Sequence, residues 1–142
     1  MVALERDYFR ALETPRMATL SPNLVAAVFP LMKLMPARYI LDRAAADGAL
    51  QTGGRIIETT SGTFGMAVAL LAAARGYRLT LVTASSLIDA KYRARLEGLG
   101  ATMIITEDPD GNGDQLRRLQ RLEGIRREEP DCFWPRQYDN PG

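Results

Sequence analysis

Histidine is absent from all 142 residues. That removes imidazole acid–base chemistry, imidazole metal ligands and every Ser-His or Cys-His nucleophile pair. Cysteine occurs once, at Cys132, so neither an intramolecular disulfide nor a cysteine zinc cluster can form. Its apolar neighbours point to a packed core thiol. An excess of either charge is missing too: 18 Lys and Arg against 17 Asp and Glu leave a net charge of +1. Such a balance gives no general pull toward nucleic acid or anionic membrane. No apolar run is long enough to span a membrane. The opening residues, Met1-Val2-Ala3-Leu4-Glu5-Arg6-Asp7, lack the basic start and apolar stretch of a secretory signal. A cytoplasmic protein is expected. GxGxxG and Walker-type patterns are absent, as are internal repeats and low-complexity tracts.

What is present fits one domain with a real core: 46% of the residues are hydrophobic and 25% charged. Leu4, Tyr8 and Leu12 have the spacing of one helical face over residues 1–13. Thr14-Pro15 and Ser21-Pro22-Asn23 mark extended or turning chain. Residues 24–35 form a dense apolar run with a single charge, Lys33. Pro36 suits the first position of a helix ending near Asp47 and Gly48. A strand is expected at Arg55–Glu58, then an almost wholly apolar helix from about Phe64 to Arg75, closed by Gly76. Further strands are expected at Leu79–Thr83 and Met103–Ile105, with a helix between them that Ser85 or Ser86 caps and Gly100 stops. Asp114 caps a charged helix to about Glu128, and Cys132–Trp134 reads as a last short strand. This alternation is that of an α/β domain, three layers with a mostly parallel sheet flanked by helices.

The stretch Glu58-Thr59-Thr60-Ser61-Gly62-Thr63-Phe64-Gly65 stands out. It has the layout of strand, polar loop and helix, and ligands in such sheets bind at the C-terminal ends of strands. Hydroxyls, a glycine and the unpaired N–H groups of the next helix suit a small anion such as a carboxylate or phosphate. The same residues also suit an ordinary turn whose hydroxyls only cap the helix. Lys33 has two readings as well. An apolar setting disfavours the charged amine and prepares a Schiff-base nucleophile; alternatively the stem is buried and the head reaches water. Asp108-Pro-Asp110-Gly-Asn112-Gly113 begins like a calcium loop. It has Leu119 where the pattern needs a glutamate, so a polar turn is expected. The run Arg117, Arg118, Arg121, Arg126 and Arg127 is diluted by Glu123, Glu128 and Glu129 and reads as a solvated helix face.

Together these residues resemble the cysteine synthase and cystathionine β-synthase family of fold-type II pyridoxal-phosphate enzymes, in its N-terminal half. The resemblance rests on Lys33, Gly48-Ala49-Leu50, Ile56-Ile57-Glu58, Thr60-Ser61-Gly62-Thr63-Phe64-Gly65, Arg75-Gly76-Tyr77, the Leu-Val-Thr strand at 81–83, the Leu-Gly-Ala turn at 99–101 and Gln137-Tyr138-Asp139-Asn140-Pro141. It implies the fold of the family's small α/β domain and pyridoxal phosphate as cofactor. Lys33 corresponds to the cofactor lysine that also moves the substrate α-proton. Thr60, Ser61 and Gly62 correspond to the loop that grips the substrate carboxylate, and Gln137 lies where the family has a glutamine near that carboxylate. The implied reaction is β-replacement or β-elimination on an amino acid.

Three departures accompany the resemblance. Thr63 stands where the family has an asparagine touching the cofactor ring hydroxyl, and Phe64 stands at the next threonine, where it lines or fills the substrate pocket. Phe29-Pro30-Leu31-Met32 replaces a glycine-rich approach to the lysine. The chain ends at Gly142, where the family continues into a domain with a phosphate cup. The expected organisation is an N-terminal arm over 1–32 and an α/β domain over 33–142. A homo-oligomer or a complementing second-half chain would complete it, with residues 24–35 as a candidate apolar contact surface. The alternative function is a catalytically inactive stand-alone domain that binds a small amino acid or a partner chain.

Overall fold

The computed structural model describes residues 14–140. The helix expected over 1–13 lies outside them. The first elements are two antiparallel strands, β1 (Arg16–Ser21) and β2 (Leu24–Val28), which form a two-stranded sheet of their own. Pro22 and Asn23 occupy the turn, as their backbone preferences favour. The extended and turning chain expected before residue 24 is the first strand and turn of this hairpin; its pairing with residues 24–28 was not foreseen. Its apolar residues lie open: Met17, Leu20, Leu24, Val25 and Val28 are all more than half exposed.

After the hairpin, α1 (Leu34–Ala46) starts two residues before Pro36. A proline in the first turn costs nothing there, since its missing N–H would be unpaired anyway. The central sheet is parallel, in the order β3 (Arg55–Thr59), β4 (Arg78–Ala84), β5 (Ala101–Thr106). Between these strands run α2 (Thr63–Arg75) and α3 (Ala90–Gly98), and α4 (Gln115–Glu128) follows. Gly76 and Gly100 adopt the left-handed conformation that ends α2 and the α3 region. The expected strand at Cys132–Trp134 is a single bridge: Phe133 pairs with Ile56 alongside β3.

The sheet separates two cores. Leu34, Leu41, Ile56, Phe64, Val68, Leu71, Leu81 and Leu96 fill the larger one, beneath α1, α2 and α3. Ile57, Val82, Leu122 and Ile125 fill the smaller one beneath α4, with Cys132 and Trp134 against it. This is the three-layer arrangement with a parallel sheet flanked by helices. Both faces of β3 and β4 are buried, so neither strand shows an in–out alternation of burial.

Two local expectations are corrected. Asp89, not Ser85 or Ser86, caps α3, accepting the Tyr92 N–H at 2.7 Å. The serines instead sit in a short 3-10 turn, Ser85–Leu87, and bond to Asp108. The basic face of α4 is not uniformly solvated either. Arg118 is buried, and its Nε donates to the Gly113 carbonyl at 2.8 Å.

Candidate functional site

The loop after β3 is organised by one buried hydroxyl. Thr60 Oγ1 accepts the backbone N–H groups of Gly62 (3.1 Å) and Gly65 (3.0 Å) and donates to the Gly62 carbonyl (3.1 Å). The hydroxyl therefore does the work of a cap from outside the helix, satisfying a donor in the first turn of α2. Gly65 makes that approach possible. A Cβ there would lie 2.5–2.8 Å from three atoms of the Thr60 side chain, closer than any side chain tolerates. Gly62 is the opposite case: a Cβ there would meet nothing within 4 Å. The space on that side of Gly62 is open to a ligand, while its N–H and carbonyl are already paired within the protein.

Beneath the loop lies a carboxylate that the resemblance included only as part of a strand motif. Glu58 is 1% exposed. Its Oε1 accepts from Thr59 N–H at 2.8 Å and from Trp134 Nε1 at 2.9 Å, and its Oε2 accepts from Gln137 N–H at 3.1 Å. Burial pushes its pKa up from the ordinary glutamate value, and these donors pull back against that. Gln137 also donates from its side-chain amide to the Thr59 carbonyl at 2.7 Å. Residues 134–137 are thus strapped under the loop by the last two residues of β3. Trp134 is held in turn by the guanidinium groups of Arg126 and Arg136, each 5.2 Å from its ring centre. The signal for Glu58 was visible: an acid between isoleucines and threonines in a strand buried on both faces.

The remaining residues of interest fall around this frame. Ser61 is exposed, with its hydroxyl 3.4 Å from that of Tyr138. Thr63 is exposed at the start of α2. Phe64 is buried in the larger core, so its ring fills the helix–sheet interface. Tyr92, reaching over from α3, donates its hydroxyl to the Gly62 carbonyl at 2.6 Å. Burial raises its phenol pKa, which keeps that donor protonated. Nothing in the sequence linked Tyr92 to the loop 30 residues before it.

Lys33 is the N-cap residue of α1, and its side chain is exposed. The apolar setting read from its neighbours is not there: Lys33 is exposed, and Met32 beside it is 84% exposed. The second reading of that lysine, with its head in water, describes what is seen. Leu31, two residues earlier, lines the same cavity as Gly62 and Thr63, which brings the lysine's segment to the mouth of the loop. An accessible amine and the open space beside Gly62 fit the aldehyde and amino-acid end of a pyridoxal-phosphate site.

Known proteins resemble this chain over most of its length. The family model described as pyridoxal-phosphate dependent enzyme matches residues 32–142. An N-(2-amino-2-carboxyethyl)-L-glutamate synthase of Ralstonia nicotianae is 32% identical over 111 residues, covering 78% of this chain and 32% of that protein. Among solved structures, a cysteine synthase of Entamoeba histolytica superposes with a TM-score of 0.68 at 28% identity, over 78% of this chain and 32% of its own. An O-ureido-L-serine synthase superposes with a TM-score of 0.73 at 26% identity, over 99% of this chain and 46% of its own. The chain spans about a third of the length of the curated relatives it matches. Among the described residues no helix is long and apolar enough to cross a membrane.

Proposed function

Because this chain belongs to the pyridoxal-phosphate dependent enzyme family, we propose that it forms the lysine- and loop-bearing part of a cysteine-synthase-like enzyme. That enzyme replaces or eliminates the β-substituent of an amino acid. Residues 33–142 are the part that carries this chemistry, and residues 1–32 are an arm to it. When bound, pyridoxal phosphate supplies an aldehyde for a lysine amine and an electron sink for the substrate α-carbon. Lys33 holds the cofactor and moves the proton at the α-carbon. Thr60, Ser61 and Gly62 bind the substrate carboxylate, and Thr63 borders the cofactor ring. Glu58 and Gln137 hold the loop's floor in place, which keeps the reacting carbon oriented.

The observation that carries this reading is the loop itself. A hydroxyl-rich turn at the C-terminal end of a parallel strand is braced from inside by Thr60 and left open at Gly62. The test is an absorbance spectrum with added pyridoxal phosphate, beside Lys33→Ala. The expected result is a visible cofactor–lysine band in the parent that is lost in the variant. An equal band in both, or none in either, refutes cofactor binding by this chain.

A second reading is supported by Thr63, which stands where the family has an asparagine. Here the domain binds a small amino acid or a partner chain without catalysis. Its signature is amino-acid binding at the loop that Lys33→Ala leaves unchanged, together with no cofactor band.

A further inference from the structure

The first turn of α2 does not close on itself in the ordinary way. The Met66 N–H, which should make the first helical bond to the Gly62 carbonyl, stands 3.5 Å from it, longer than a normal bond of this kind. The hydroxyl of Tyr92, on α3, reaches into that gap. It donates to the Gly62 carbonyl at 2.6 Å. The Met66 N–H lies against the same phenol oxygen and opposes the rise that burial gives its pKa. A side chain from another helix is thus inserted between the two ends of the opening bond of α2. Tyr92 is itself fixed in place, because its own N–H is taken by Asp89 at 2.7 Å. Gly62 is held from two directions: its N–H by Thr60 Oγ1 at 3.1 Å, and its carbonyl by α3.

We infer that Tyr92 is a positioning residue for the substrate loop: without touching the substrate, it sets the direction of the Gly62–Thr63 peptide. In a planar trans peptide the carbonyl and the N–H point opposite ways. Pinning the Gly62 carbonyl toward α3 therefore aims the Thr63 N–H off the N-terminal end of α2, where an anion is favoured. The inference rests on the carboxylate-binding role proposed for residues 60–62 and deepens it, because it makes α3 part of the loop's geometry. Removing the hydroxyl does not orphan the Gly62 carbonyl, which keeps Thr60 Oγ1 and the Met66 N–H as donors. The turn instead closes onto Met66 and the peptide rotates with it. Such a change costs little stability but misaims a donor, and small misplacements weigh heavily on a reacting geometry.

The test is an amide NMR titration of the full chain with L-serine as the probe of the loop, for the parent, Tyr92→Phe and Tyr92→Leu, beside their thermal unfolding midpoints. In the parent, L-serine shifts are expected at residues 60–63. Without ligand, Tyr92→Phe should move the Gly62, Thr63 and Met66 amides. L-serine affinity should fall about tenfold in Tyr92→Phe and equally in Tyr92→Leu, although Tyr92→Leu also loses the ring's packing and unfolds at a lower temperature. Affinity would then follow the hydroxyl and not the stability. Parent-like affinity in Tyr92→Phe overturns the inference and leaves the loop's proposed role standing. Affinity that declines in step with the unfolding midpoint makes Tyr92 merely structural and overturns it too. Absence of L-serine binding in the parent overturns the loop's role, and this inference with it, and is read from the parent alone.

Discussion

Two loops leave the C-terminal edge of the same parallel sheet, and each is tied by one buried side chain at its base. After β3 the tie is Thr60, whose neutral hydroxyl takes the Gly62 and Gly65 N–H groups. After β5 it is Asp108, whose carboxylate takes the Gly113 N–H at 2.7 Å and the Ser86 hydroxyl. The Asp108 tie is a closed arrangement. It already contains its own anion, and its hydrogen bonds hold the carboxyl below the usual aspartate range, with Ser86 the main cause. A neutral tie leaves the first loop's electrostatics free for a ligand's negative charge. The sheet edge thus offers one loop tied by a neutral hydroxyl and one tied by a carboxylate.

The contrast breaks most severely at Gly65. Gly65→Val forces side-chain atoms into Thr60, and a loss of about 3 kcal/mol in denaturant unfolding is expected. Thr60→Val keeps the shape of the tie but removes its oxygen. Two N–H groups then lose their acceptor, for an expected cost of about 2 kcal/mol. L-serine shifts at 60–62 should vanish in the same variant. If Thr60→Val is as stable as the parent, the hydroxyl is not the brace.

The smallest effect separates the two buried acids by sign. The folded-state pKa of Asp108 is lowered from 3.8. Its contribution is therefore present above that value and is lost as pH falls through the folded pKa. The folded-state pKa of Glu58 is raised from 4.5. Its folded state holds a proton that the unfolded state has released, so stability declines as pH rises from 4.5 toward the folded pKa. Asp108→Asn should flatten the acid limb of a stability–pH curve, and Glu58→Gln the limb just above it. A common change in both variants would contradict the opposed shifts.

The first loop was legible in the sequence because its chemistry is local. Hydroxyls, a glycine and a helix follow one another within eight residues, and Gly48 and Gly76 punctuate the helices on either side. The central sheet was legible for the same reason: apolar runs bounded by glycines alternate with helical spacing. The hairpin was not, because β1 and β2 are exposed on both faces and carry no in–out alternation to read. Arg118 was misread because it sits in a charged run, and only the fold turns it toward Gly113. Lys33 was left with two readings, because neighbours in sequence do not say which side chains are neighbours in space. Tyr92 and the partners of Glu58 depend on contacts 30 to 79 residues apart, which no local pattern encodes.

Those long separations bear on how the molecule is made. Trp134 and Gln137 follow Glu58 by 76 and 79 residues, so the carboxylate waits through the synthesis of β4, β5 and α4 before its donors exist. Until then its own neighbour, Thr59 N–H, is the nearest donor, and water must supply the rest. The order of events follows from closure of so large a ring, which is slow compared with forming a turn or a helix. The sheet and its helices are expected to assemble first, with docking of residues 134–137 onto the acid as a late step. A chain interrupted before Trp134 would hold its sheet but keep a wet, unanchored loop.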